Sequence, residues 1–261
     1  MKKPIIEVLL SSEKRKKVLL LLQDGPREME TLLRSLNTTR TALLPQLKIL
    51  KESHLISQSG DTYESTTIGK LIVADMISFL RTAYVFGGNC DYLGTHYIDF
   101  IPAHLLEKLP EIGSCKVIDI AIPDMFSRDR ELFEKAVRSK YWLEATSLLY
   151  PAFHEFYAEM LEHEIDISII MTRDVYEKAK HDHYDHFKEI IDIKLISLYL
   201  YPKNMEFASL IVTDECTSLK LLTQEGAFDN KKMHICGQAA SEWGKELFEH
   251  YRQRSTLIIE I

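Results

Sequence analysis

Between Pro4 and Leu50, apolar residues recur at helical spacing in short runs separated by turn residues, the pattern of small packed helices. The runs PIIEVLL and SEKRKKVLLLL predict two helices, the second N-capped by Ser11 or Ser12 and closed by Asp24, Gly25 and Pro26. Met29, Leu32, Leu33 and Leu36 fall at i, i+3, i+4 and i+7, one apolar stripe on a third helix. Asn37 ends that helix, because asparagine tolerates the left-handed conformation a tight turn requires. A fourth helix starts at Thr38 or Thr39 and carries the core stripe Leu43, Leu47 and Leu50. Helix, tight turn and helix is the order of a helix-turn-helix, and the face left outside the stripe carries Arg40, Thr41, Leu44, Pro45, Gln46 and Lys48. Pro45 has no N–H for the carbonyl of Thr41, so the first turn is expected to bend or loosen there.

Two strand-like runs follow, Leu55 to Gln58 and Thr62 to Ser65, meeting across Ser59, Gly60 and Asp61 as a hairpin. Next, Thr67 is placed to cap a helix through about Tyr84, with Ile68, Leu71, Ile72, Met76, Phe79 and Leu80 in a wide apolar band. A helix-turn-helix followed at once by a hairpin is a winged helix. Leu47, Leu50, Leu55, Ile56, Tyr63, Thr66 and Gly69 hold the places of the pattern L-x-x-L-x-x-x-x-L-I … Y-x-x-T-x-x-G, and over roughly its first 80 residues the chain resembles the MarR/ArsR-like regulators. That resemblance implies a double-stranded DNA partner and a homodimer. The contact set it implies is Thr39, Arg40, Thr41, Leu44, Pro45, Gln46 and Lys48 on the recognition helix, with Gln58 and Ser59 on the wing. Phosphate contacts would come from Lys14, Lys16 and Lys17, or from Lys48 and Lys51. The wing departs from the family in offering no arginine at Gln58, Ser59 or Asp61. Winged helices also serve as protein-binding or RNA-binding modules.

Beyond a glycine- and aromatic-rich stretch, strand-like and helix-like runs alternate from Cys115 onward: CKVIDIAI, WLEATSLL, IDISIIM and KLISLYLY with helices between them, then FASLIVTD and SLKLLTQ and a last helix. The alternation predicts a mixed α/β domain with a largely parallel sheet and an antiparallel pair near its end. The expected division is a winged helix-turn-helix over 1–85, a connector over 86–113 and an α/β sensor or assembly domain over 114–261.

Charge sharpens that division. The formal net charge is −7, yet Met1 to Leu80 holds 12 Lys/Arg against 9 Asp/Glu and the rest 20 against 30. A basic head on an acidic body suggests that only the head meets a polyanion. The four cysteines, Cys90, Cys115, Cys216 and Cys236, show neither a C-x-x-C pair nor regular spacing, so they read as reduced packing thiols. With no apolar run of membrane-spanning length and no signal-peptide pattern at the start, the expected location is the cytoplasm, with no membrane partner.

Ala239, Trp243, Leu247 and Tyr251 form one stripe in the tail AASEWGKELFEHYRQRS. That tail, IPAHLL (Ile101 to Leu106), LIVTD (Leu210 to Asp214) and the winged helix in front resemble, in order, the FilR-type methanogenesis regulatory proteins of archaea. The resemblance implies a transcriptional regulator of metabolic genes whose C-terminal domain senses an effector or assembles the complex. Sugar-sensing TrmB-type regulators carry a phospholipase D-like domain of loosely similar order, which makes the body distantly phospholipase D-like. Active members of that superfamily need H-x-K-x-x-x-x-D. With the acid on Asp214, Phe207 stands for the histidine and Ser209 for the lysine, so no enzyme and no cofactor are expected. Tyr97, Phe100, Trp243 and Tyr251 are candidates to line an effector pocket, though aromatic residues are more often core.

One string competes with this reading. HDHYDH, His181 to His186, spells the H-x-H-x-D-H motif of metallo-β-lactamase-type hydrolases, and His181, His183, Asp185 and His186 would carry a metal-dependent hydrolase fused to a DNA-targeting head. However, Asp174 as N-cap and Glu177 three residues on predict a helix over 174–191. On one helix His181 and His183 lie about 200° apart and cannot share an ion. What survives is His183 with His186, or Asp182 with His186, as a weak metal or pH-responsive pair.

Overall fold

The computed structural model describes residues 4–121, 130–151, 153–191 and 193–260. The chain divides into two compact units, Met1–Leu80 and Arg81–Ile261. In the first, α1 (Ile5–Leu10) and α2 (Glu13–Leu21) precede a short strand β1 (Arg27–Glu28), and α3 (Met29–Leu36) ends at Asn37 with φ 44°. The Ser12 hydroxyl, rather than that of Ser11, accepts the amide of Arg15 and caps α2. The helix α4 (Arg40–Glu52) is capped by Thr39, whose hydroxyl accepts the amide of Ala42, and runs unbroken through Pro45. Strands β2 (Ile56–Ser59) and β3 (Thr62–Ser65) form the wing hairpin, and β1 adds a third strand antiparallel to β3. Val18, Leu19, Met29, Leu32, Leu43, Leu47, Leu50, Leu55 and Tyr63 are the buried centre.

The helix α5 (Thr67–Gly87) is capped one residue earlier than expected: the Thr66 hydroxyl accepts the amide of Gly69 at 3.0 Å. A Cβ on Gly69 would stand 2.0 Å from the carbonyl oxygen of Leu55, so only glycine lets the helix approach the base of the wing. Tyr63, Thr66 and Gly69 thereby act together, as core ring, cap and close contact.

In the second unit, α6 (Cys90–Thr95), α7 (Ala103–Lys108) and a 3-10 turn (Leu109–Glu111) occupy the stretch expected to be a connector. These residues are structured core instead: Tyr92, Leu93, Phe100, Ile101, Leu105 and Ile112 are buried with the main cluster. The order continues with β4 (Cys115–Asp119), α8 (Arg130–Ala136), β5 (Tyr141–Thr146), α9 (Phe153–Leu161), β6 (Asp166–Thr172), α10 (Arg173–Asp182) and α11 (Tyr184–Ile191). After these come β7 (Ile196–Tyr201), β8 (Phe207–Val212), β9 (Cys216–Leu221), β10 (Lys231–Cys236), α12 (Gln238–Arg252) and β11 (Thr256–Leu257). Ile122, the last residue of the run CKVIDIAI, lies outside the described residues.

The fold is mixed α/β, and its eight-stranded sheet has the order β11-β7-β6-β5-β8-β9-β10-β4. The expectation of a largely parallel sheet is corrected in proportion. Among the described residues, only β5, β6 and β7 pair in parallel, while β8, β9, β10, β4 and β11 join antiparallel. Parallel neighbours need a helical crossover, and α9 with the α10–α11 pair supplies the two that exist; the later strands follow short connections that favour antiparallel return. One face of the sheet packs α12, with Trp243, Leu247 and Tyr251, and the other packs α8 to α11, with Phe153, Met160, Val175 and Phe187.

The helix expected over 174–191 is two helices, with His183 between them at φ −139° and ψ 37°. Its first cap is Thr172, whose hydroxyl accepts the amide of Val175, not Asp174.

Candidate nucleic-acid interface

The face of α4 is built by the stripe that buries its opposite side. With Leu43, Leu47 and Leu50 inward, Arg40, Thr41, Leu44, Pro45 and Lys48 are exposed, as are Thr39 before the helix and Gln58 and Ser59 on the wing. Two side-chain links fix the wing to this helix. The Arg40 guanidinium donates to the Asp61 carboxylate at 2.7 Å, bracing the first turn on the wing tip, and Lys51 donates to the Gln58 side chain at 2.6 Å. Gln58 also donates to the carbonyl of Gly60 at 2.8 Å, stiffening the turn.

Gln46 is placed differently from its neighbours. Its side-chain oxygen accepts from Arg15 Nη1 at 2.8 Å and from the Ser12 hydroxyl at 3.2 Å. Arg15 is itself buried, with Nε on the carbonyl of Val8 at 2.7 Å and Nη2 on the Ser11 hydroxyl at 2.6 Å. Gln46 thus joins a clasp holding α1, α2 and α4 together, and only its amide nitrogen remains to offer a ligand. Spacing alone could not reveal this, because Gln46 lies at the border of the polar face and its partner is 31 residues away. Of the basic run, Lys14 and Lys17 are exposed and Lys16 is half-buried and paired with Glu13.

The second unit holds a buried polar group that the sequence did not single out. Strand alternation puts Trp142, Glu144 and Thr146 on the face packed by α9 to α11. Glu144 accepts from Trp142 Nε1 at 2.9 Å and from the Tyr157 hydroxyl at 3.0 Å. Burial raises its carboxyl above the usual carboxylate range, against the pull of those two donors and of Lys220. Lys220 donates to the Tyr150 hydroxyl at 2.7 Å. Glu144, Thr146, Tyr150, Phe153, Met171 and Leu198 are among the residues around a cavity of about 30 Å³, room for a water-sized group. Phe100, Trp243 and Tyr251 are core residues and Tyr97 packs against them, so the cavity lies elsewhere.

The HDHYDH residues form no three-ligand cluster among the described residues, although His183 and His186 both lie beside His154, ring centroids 6.5 and 4.1 Å away. Lys178, donating to Asp182 at 2.7 Å, and then His181, also at 2.7 Å, hold that carboxyl down to about 2. His183 packs edge-on against Phe153 at 5.4 Å, while His186 stacks on His154 at 4.1 Å. Among the described residues, the cluster of potential ligands is a different one, Cys216, His234 and Cys236. Two of the thiols expected to be unpaired, Cys216 and Cys236, are joined as a disulfide, whereas Cys90 and Cys115 are free. Burial pushes the Cys115 thiol up to about 11. Phe207, in the histidine place of the phosphodiesterase motif, packs its ring 4.9 Å from Phe100.

Residues 125–254 match the family described as methanogenesis regulatory protein FilR1, middle domain, and residues 5–85 match the HVO_A0261 N-terminal domain family. A curated relative, methanogenesis regulatory protein FilR1 of Methanothrix harundinacea, is 24% identical over 256 residues, covering 96% of this chain. The chain belongs to the FilR-type family. It spans 57% of that relative's length. Among solved structures, the archaeal chromatin protein TrmBL2 aligns over 98% of this chain and 100% of its own at 12% identity and a TM-score of 0.44. The phospholipase D family member Nuc from Salmonella typhimurium aligns over 56% of this chain and 100% of its own, at 12% identity and a TM-score of 0.39. No helix among the described residues is long and apolar enough to cross a membrane.

Proposed function

We propose that this FilR-type protein is a transcription regulator that binds double-stranded DNA sequence-specifically through α4, acts as a homodimer, and reads an effector in its second unit. The observation that carries the reading is the α4 face, where Arg40, Thr41, Leu44, Pro45 and Lys48 stand exposed on a helix held rigidly by the wing. Such a face offers a guanidinium for guanine edges, a hydroxyl and apolar groups for thymine methyls, and a lysine for phosphate. Gln46 takes part only through its amide nitrogen. Membership beside a relative named as a methanogenesis regulatory protein supports regulation of metabolic genes of that kind.

Homodimerisation is supported by α5. Ile68, Leu71 and Phe79 are 54%, 67% and 57% exposed and share an arc of about 80° on that helix. Asp75 stands exposed within the same arc, so the patch is three apolar side chains around one carboxylate, and a second copy of the chain is the partner we propose for it. The effector reading rests on the family resemblance alone, because the cavity beside Glu144 has room for no more than a water-sized group.

Mobility-shift titration of the full chain against its own upstream DNA tests the core of this reading. Specific binding that weakens with salt is expected, with Arg40→Ala plus Lys48→Ala costing tenfold or more and flattening the salt slope by about one or two phosphate contacts. Absence of a specific complex, or variants that bind like the parent with unchanged circular dichroism, would sink it.

A further inference from the structure

Cys216 opens β9 and Cys236 closes β10, and the antiparallel register sets the two opposite each other, Cα atoms 4.2 Å apart, as a disulfide. His234 stands two residues before Cys236, so the pleat turns both side chains to the same face, with a ring nitrogen 3.1 Å from the Cys236 sulfur. One ligand atom from each of the three side chains lies within 4.8 Å of the others. A cation already touches the group: the Lys135 ammonium from α8 is 3.3 Å from the Cys236 sulfur and 3.3 Å from His234 Nε2, and 2.8 Å from the Glu131 carboxylate. Cys216 is fully buried and His234 nearly so, whereas Cys236 is exposed.

We propose that Cys216, His234 and Cys236 form a binding site for a thiophilic divalent cation of the zinc class, open when the two cysteines are reduced and closed by their disulfide. Two thiolates and one imidazole are the donor set such an ion prefers over harder cations. Tetrahedral binding asks its donors to stand about 3.5–3.8 Å apart, a spacing reached when the sulfurs separate and His234 stays where it is. The exposed side at Cys236 is the entry path and leaves the fourth position to water. Lys135 swings out onto Glu131, its existing partner, as the metal takes the ammonium's place.

The chemistry balances in two steps. A dithiol reductant delivers two electrons and two protons to the Cys216–Cys236 bond, which breaks to two thiols while the reductant closes to its own disulfide. The cation then binds as both thiols release their protons to solvent, with His234 coordinating as the neutral ring. Neither step depends on the DNA-binding reading. The site is nonetheless positioned to report on the body of the second unit, because Cys236 leads through Gly237 directly into α12, whose Trp243, Leu247 and Tyr251 fill the core.

Cobalt(II) is the probe, since thiolate ligation gives it a near-ultraviolet charge-transfer band and tetrahedral coordination gives it visible bands. The full chain, reduced anaerobically with a phosphine and freed of reductant, should develop both bands to one equivalent, and zinc should bleach them. The oxidised chain should show neither, Cys216→Ser or Cys236→Ser should abolish them, and His234→Gln should weaken binding roughly tenfold or more. Cys90→Ser, Cys115→Ser and His183→Gln should leave the titration unchanged. If the buried Cys216→Ser variant misfolds by circular dichroism, the exposed Cys236→Ser variant decides alone. A natively folded, reduced chain without thiolate–cobalt bands overturns the site, as do bands surviving in Cys236→Ser or equal binding by the oxidised chain.

Discussion

The sharpest stability prediction concerns Gly69→Ala. The new Cβ would lie 2.0 Å from the Leu55 carbonyl oxygen and 3.0 Å from its carbon, both backbone atoms that no rotamer change can move. Ordinary contact begins near 3.5 Å, so α5 must retreat by about 1.5 Å. That retreat pulls on the Thr66 hydroxyl, which caps the Gly69 amide at 3.0 Å and itself donates to the carbonyls of His54 and Leu55 at 2.7 and 3.3 Å. Losing the cap costs about 1 kcal/mol and overpacking costs about 1–3 kcal/mol, while alanine's better helix propensity returns up to about 1 kcal/mol. The net loss is about 2 kcal/mol, which lowers the transition of an 80-residue unit by roughly 10 °C. Calorimetry of the full chain reads this directly. Gly87→Ala, at the far end of the same helix with nothing within 4 Å of its Cβ, should leave the melt unchanged or raise it slightly. Equal melting of Gly69→Ala and the parent would refute the close approach of α5 to the wing base.

Three further outcomes follow from particular contacts. Glu144 is buried with its carboxyl raised, so its protonated form favours the fold and that contribution is lost as pH rises through the folded value; Glu144→Gln should flatten the decline in stability above the usual carboxylate range, and a parallel pH–stability curve would contradict this. Asp61→Asn releases Arg40 from an exposed ion pair of about 0.2–1 kcal/mol and removes a charge facing DNA, so affinity in a mobility-shift titration should rise about two- to fivefold, and a fall would mean that Asp61 positions Arg40 instead. Phe79→Glu places a charge on the exposed face of α5 and should convert the proposed homodimer to monomer in sedimentation velocity; a parent chain that itself sediments as a monomer would refute the dimer, and an unchanged dimer would move the interface elsewhere.

What could be read from the chain was what depends on near neighbours. The stripes of α3 and α4, the left-handed Asn37 and the hairpin all lie within a few turns of sequence, and each agrees with the observed element. Caps slipped by one or two residues, to Thr66 and Thr172, because nearby side-chain oxygens compete, the hydroxyl of Thr67 in one case and the carboxylate of Asp174 in the other, and the winner is set by how the preceding strand ends. The sheet was harder. Apolar runs identify strands but carry no pairing direction, and KKMHIC, the sequence of β10, offers an alternation too short and too charged to stand out beside Met233 and Ile235.

The two metal-like features of the chain make the same point from opposite sides. HDHYDH places five ligand-type side chains within six residues, yet His181 turns onto Asp182 while His183 packs on Phe153 and His186 stacks on His154. Helical rotation and a break both separate neighbours that a loop would let converge. Cys216 and Cys236 are 20 residues apart and carry no spacing signal, yet one antiparallel register brings them opposite, and the two-residue pleat adds His234 to the same face. The only sequence trace of that cluster is the H-x-C of His234 and Cys236, which acquires meaning once β10 is known to be a strand. Ligand convergence in this fold is therefore a property of strand register. For that reason, a substitution that slips the β9–β10 register by one residue should erase the cobalt spectrum while sparing every ligand, an outcome that residue-by-residue mutation of the ligands cannot mimic.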